Sequence, residues 1–179
     1  YVSLFLIFPI RGQHFDDIKI IGTRPVEWKV KDWFNSKPLT LKHLIGDVVL
    51  VRWWTGPHCQ LCITSSSVLN EFHNEFGKMG LKIIGFYHHK SLESLNKEKV
   101  LNNIENLRFK FPVAIDHGWK TLRTWWLESG GVREFTSVTF ILDRKGVIRY
   151  IHPGGKYEKD DDTYNLMRSM IKSLLDEKV

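Results

Sequence analysis

Cys59-Gln60-Leu61-Cys62 holds the only two cysteines of this 179-residue chain. Thiols three positions apart share one face of a helical turn and lie close enough to close a disulfide. A first cysteine at a helix N-terminus sits among unpaired backbone N–H groups, at the positive end of the helix dipole. Both favour a thiolate. Such motifs lower the nucleophile's pKa from about 8.5 to roughly 3.5–7.5. The chemistry this suits is thiol–disulfide exchange, in which Cys59 attacks a partner disulfide and Cys62 resolves the mixed disulfide. A structural zinc site would need about four ligands, so histidines would have to complete it. An inert structural disulfide would close too short a loop to constrain much of the unfolded chain.

The surrounding sequence favours the redox reading. The apolar run Val48–Trp54 predicts a buried strand, and Thr55-Gly56-Pro57-His58 a turn after it. From Gln60 to Phe76 the apolar residues Leu61, Val68, Leu69, Phe72 and Phe76 recur at helical spacing. Trp54 ends the strand and is placed to floor the site.

Further along, Leu81–Tyr87 reads as a second buried strand. Val100, Ile104 and Leu107 mark a polar helix, and residues 111–115 form a brief apolar piece. Trp119, Leu122 and Trp126 share a face of a short helix. Residues 138–142 and 147–151 flank Asp143-Arg144-Lys145-Gly146 as a hairpin. A last helix follows the acidic residues 160–162 and carries Tyr164, Met167, Ile171 and Leu174. Residues 16–33 predict two short strands around Gly22-Thr23-Arg24-Pro25, and residues 39–45 a short strand or helical turn stopped by Gly46. The order predicts an α/β domain: a mixed central β-sheet flanked by helices, with an N-terminal β extension.

Apolar residues make up 42% and charged residues 26%, as in ordinary globular domains. The net charge is +6, but bases and acids alternate, as in Lys97-Glu98-Lys99, with no basic block. This is the pattern of a solvated surface, so no nucleic-acid partner is expected. Residues 1–15 form an apolar N-terminal segment ahead of a domain at 16–179. The first ten residues carry no charge, the chain does not begin with Met, and Pro9 interrupts a run too short to span a bilayer. The run reads as the tail of a signal or anchor segment, or as an ordinary apolar strand. The first reading implies an extracytoplasmic, membrane-tethered protein; a cytoplasmic one is the alternative. The dithiol chemistry calls for a protein thiol or disulfide partner and for no cofactor or resident metal.

These elements resemble the thioredoxin fold, and more narrowly the redoxin-domain branch of TlpA-like and ResA-like thiol–disulfide oxidoreductases. The similarity rests on residues 39–51, on the loop from Trp54 to Cys62, on Phe111-Pro112-Val113-Ala114-Ile115-Asp116, and on the hairpin from Thr139 to Ile148. It implies a redox-active pair at Cys59 and Cys62, supported by Trp54, Pro57, His58, Arg52 and Ser137. Several of these depart from the family pattern. His58 replaces the Trp usual before the first cysteine, and one extra residue separates Trp54 from Cys59. Ser137 falls where the family places a cis-proline facing the cysteines. Arg52 replaces the buried acid of thioredoxins proper. It is either a cation that favours thiolate and removes a proton acceptor, or a surface side chain at a strand end.

Two alternatives stand beside this reading. A copper-binding or metallochaperone variant would recruit His58, His88, His89 and His152 to the cysteines, since thiolate and imidazole suit Cu(I) and zinc. A peroxiredoxin-like peroxidase fits less well. It needs Thr or Ser three residues before its cysteine, and Gly56 and Cys59 hold those positions.

Overall fold

The computed structural model describes residues 19–56 and 59–178. The apolar segment at 1–15, Pro57 and His58 lie outside the described residues. Six strands form one mixed sheet: β1 (Trp33–Phe34), β2 (Val48–Trp54), β3 (Leu81–Tyr87), β4 (Val113–Ile115), β5 (Thr139–Leu142) and β6 (Ile148–His152). Their order across the sheet is β1-β4-β3-β2-β5-β6. Every residue of β2 is buried, as expected of a central strand covered on both faces. β2 runs parallel to β3 with Val48 opposite Leu81, and antiparallel to β5 with Arg52 opposite Thr139.

Alternation along β2 divides the core in two. Leu50 and Trp54 face a layer built by α1 (Gln60–Phe76) and α4 (Asp162–Asp176). Helix α1 turns Cys62, Ser65, Val68, Leu69, Phe72 and Phe76 inward, the three- and four-residue spacing of one helix face. Asp161 caps α4 by accepting the Tyr164 amide at 2.6 Å. The two helices are joined by stacked Phe72 and Tyr164 rings, 5.3 Å apart, and by an Arg168–Glu75 ion pair. The expected inward residues of α4, namely Tyr164, Met167, Ile171 and Leu174, are all buried.

Val49, Val51 and Trp53 face the opposite layer, where Trp28, Trp125, Trp126, Phe86 and Phe140 predominate. The expected helix over Trp119–Trp126 proves to be one α turn, α3 (Lys120–Leu122), followed by a π-helix at Arg123–Leu127. The wider turn is closed by the Glu128 amide on the Arg123 carbonyl at 2.8 Å. It lets the consecutive Trp125 and Trp126 both reach the core. Helix α2 (Lys97–Asn106) buries only Val100 and Ile104.

The N-terminal extension needs correction. From residue 19 to Asp32 there is a turn and irregular chain, and among the described residues the extension's only strand is the two-residue β1 on the sheet edge. Side chains as well as a few backbone bonds, at Gly22, Thr23 and Asp32, hold this segment. The Trp28 indole donates to the Leu39 carbonyl at 2.8 Å, and the Glu27 carboxylate accepts the Leu41 amide. Residues 41–44, left open as strand or turn, form a 3-10 turn capped by Thr40 and His43.

Candidate active site

The strand β2 delivers the chain to the start of α1, and Cys59 is the N-cap residue of that helix. Cys59 and Cys62 form a disulfide with their Cα atoms 5.2 Å apart. The Cys62 amide, in the first turn, donates to the Cys59 carbonyl at 2.9 Å and also points at Cys59 Sγ from 3.2 Å. The two sulfurs are not equivalent: Cys59 is half-buried, whereas Cys62 is 3% exposed. Cys59 is therefore the more exposed residue of the pair. Beside the pair lies a groove of about 190 Å³, lined by Thr55, Gly56, Cys62, Ile63, Asn103 and Leu107.

Trp54 belongs to the same buried cluster as Cys62 and stands edge-on to Tyr87 and Phe109 at 5.1 and 5.5 Å. Its indole nitrogen has no protein acceptor. Burial raises the Tyr87 phenol above its ordinary pKa.

Arg52 is 1% exposed, which overturns its reading as a surface side chain. It shares the α1-facing side of β2 with Leu50 and Trp54. One guanidinium nitrogen, Nη1, donates to the Ser137 carbonyl and to Thr139 Oγ at 3.2 Å. Nη2 donates to the Gly155 carbonyl at 2.7 Å, and the plane lies 5.0 Å from the Tyr157 ring centre. Burial pulls its pKa below the ordinary value, though arginine stays charged in proteins. Ser137 is buried too, and its hydroxyl accepts the Gly155 amide at 3.2 Å. The expected cis-proline position is thus a serine whose backbone and side chain are both hydrogen-bonded within the fold.

Among the described residues, His88, His89 and His152 form no cluster with the cysteines that could hold a metal. His88 is fully buried, bonded through Nε2 to Thr136 Oγ at 2.8 Å, and burial pushes its pKa down to about 3. His89 bonds the Tyr87 hydroxyl and the Glu93 carbonyl. His152 stands edge-on to Tyr157 at 5.3 Å, its pKa pushed down to about 4 by burial and then by the Arg52 charge. Among the described residues no group of three or more His, Cys, Asp or Glu side chains could hold a metal.

Sequence reasoning missed Thr139 and Tyr157, the partners that complete the surroundings of Arg52. A signal existed for Thr139: a polar residue in an otherwise apolar strand, fully buried, needs a polar neighbour. Tyr157, in irregular chain after the hairpin, carried none.

The sheet order and a C-x-x-C disulfide opening the first long helix define a thioredoxin-fold domain with a redox-capable cysteine pair. Its sequence matches the AhpC/TSA family over residues 21–151, and the chain belongs to that family. Among curated proteins it is similar to the thiol-disulfide oxidoreductase ResA of Bacillus anthracis, 29% identical over 129 residues, covering 72% of this chain and 66% of that protein. It also resembles the protein DipZ of Mycobacterium tuberculosis, 24% identical over 159 residues, covering 87% of this chain. The chain spans 21% of the length of DipZ. Among solved structures, the thioredoxin-like superfamily protein SPOA0173 matches with a TM-score of 0.70 at 22% identity, covering 87% of this chain and 98% of that one. A thiol-disulfide isomerase from Corynebacterium glutamicum matches at 0.64 and 25% identity, covering 88% and 98%.

Proposed function

We propose that this chain is a thiol–disulfide oxidoreductase acting on protein partners, with Cys59 as the exchanging sulfur and Cys62 as the resolving one. The observation that carries the reading is the asymmetry of the pair. Cys59, at the helix N-terminus, is the more exposed residue and receives an N–H from Cys62, while Cys62 is buried. In the reducing direction, the Cys59 thiolate attacks a partner disulfide and releases one partner thiolate. Cys62 then attacks Cys59 Sγ, closing the disulfide and releasing the second. Two electrons pass to the partner in all. The names of the relatives, an oxidoreductase and an isomerase of thiols and disulfides, support the same class of reaction.

Trp54 floors the pair, and the loop at Ser137 borders it on this reading. Pro57 and His58 remain proposed supports on sequence grounds alone. The uncharged run at residues 1–10 supports an extracytoplasmic, membrane-tethered placement, where a disulfide persists.

The test is mixed-disulfide trapping. Cys62→Ser should accumulate covalent adducts with a disulfide-bearing protein through Cys59, because the resolving thiol is gone. Cys59→Ser should trap at least tenfold less. Equal trapping by both variants would overturn the assignment of roles, and no adduct with either would overturn the oxidoreductase reading.

A further inference from the structure

We propose that the buried Arg52 guanidinium biases the Cys59–Cys62 couple toward its reduced, thiolate-bearing form, so that the protein acts as a disulfide donor to partner dithiols. This rests on the oxidoreductase reading and adds the direction of electron flow.

Arg52, Thr139 and His152 stand side by side across β2, β5 and β6. Tyr157 covers this row, and its amide donates to Ser65 Oγ at 3.1 Å. Ser65 lies one turn beyond Cys62 on the same buried face of α1. The cation thus lies on the side of the sheet that the redox helix covers, linked to that helix through Tyr157 and Ser65. Its hydrogen-bonding partners are two carbonyls and a hydroxyl, not a carboxylate. Its Nε has no protein acceptor. An uncompensated buried cation is costly to keep, and it favours any anion that forms nearby.

The groups packed around it do not cancel this. His152 on β6 and His88, the residue after β3, are held neutral by burial, and burial raises the Tyr87 phenol above its ordinary value. Asp161 is the nearby carboxylate, and it is occupied by the Glu158 and Tyr164 amides. No carboxylate bonds the guanidinium, and the anion assigned to it by this proposal is a cysteine thiolate, which exists only after reduction.

The step balances as follows. A partner dithiol supplies two electrons and two protons; the Cys59–Cys62 bond breaks and the partner's S–S bond forms. One proton goes to Cys62 and the other to solvent, leaving Cys59 as thiolate. A couple whose reduced form is stabilised in this way is a stronger oxidant.

The experiment equilibrates the full chain with reduced and oxidised glutathione across pH 5–9 and reads the disulfide fraction after alkylation. Arg52→Met should shift the equilibrium constant at least tenfold toward the disulfide, about 30 mV for this two-electron couple. Arg52→Lys, which keeps the charge, should shift it less than threefold. The wild type should take up one proton per two electrons at neutral pH, and Arg52→Met two. A His58→Ala variant separates the contribution of that neighbour. Equal shifts in the Met and Lys variants, or an unshifted Met variant, would overturn the proposal. If the Met variant does not fold, a two-proton wild type at pH 7 overturns it and a one-proton wild type upholds it. A wild type that never exchanges with glutathione would instead sink the oxidoreductase reading beneath it.

Discussion

Trp53 and Trp54 are neighbours in one strand, yet they belong to two differently built halves of the molecule. Trp53 points into the aromatic layer, where its indole donates to Asp116 at 3.0 Å. That buried carboxylate also accepts the Thr121 and Leu122 amides, so Asp116 is an anion with three good donors, pinning the start of α3 to the sheet. Trp28, Trp125 and Trp126 in this layer likewise find carbonyl acceptors, and among its described tryptophans only Trp33, at its edge, does not. Trp54 points to the redox side, and its indole finds none; neither does Nε of Arg52 beside it. Both halves bury a charge. One charge is matched in place, and the other is left with an unpartnered Nε on the redox side of the sheet. Buried polar groups are normally satisfied, and exceptions concentrate where function requires them.

Asp116→Ala should produce the largest loss. It orphans three buried donors, for about 3–5 kcal/mol of stability in urea unfolding, while the glutathione equilibrium constant should move less than twofold. A shift comparable to that of Arg52→Met would erase the distinction between the halves.

Acid comes next. His88 on the aromatic side and His152 on the redox side are held neutral, at about 3 and about 4, against about 6.5 in the unfolded chain. Below pH 6.5 the unfolded chain binds protons that the fold refuses, so stability falls as pH drops toward about 4. The two together should cost about 2–3 kcal/mol between pH 7 and pH 5.5. His152→Phe should remove roughly half of that slope. A urea midpoint flat over this range would show that neither ring is held neutral.

The smallest effect isolates single hydrogen bonds. Trp53→Phe and Trp54→Phe delete the same volume, but only the first breaks a bond to a carboxylate. Trp53→Phe should therefore cost about 1–2 kcal/mol more than Trp54→Phe. Equal costs would mean that Trp54 has an acceptor after all.

The site's scaffold was legible because its signals were strong and local. The buried runs of β2 and β3, the helical spacing in α1 and the acidic cap of α4 fix their elements from neighbouring residues alone. The cysteine pair was legible for the same reason. Arg52 was not, because an arginine at the end of an apolar strand looks alike whether it faces solvent or core. What decides is Tyr157, 105 positions away in the chain, folding over it. The extension at residues 16–33 was read as two strands around the turn at Gly22-Thr23-Arg24-Pro25, and that turn is present, but no strand flanks it from residue 19 to Asp32. Trp28 and Val30 do pack inward, but onto a sheet face, where packing asks for no ladder.

The sheet's outer strands carry a consequence for how the protein behaves at high concentration. An exposed strand edge is a template on which other chains can polymerise. Here one border is closed by the two-residue β1, too short to seed a growing ribbon. At the other, Gly22 and Thr23 exchange backbone hydrogen bonds with Ile148 at the start of β6. The irregular N-terminal chain thus serves as a selvedge, and shortening it from the front past Thr23 should leave a protein that exchanges disulfides normally but precipitates sooner.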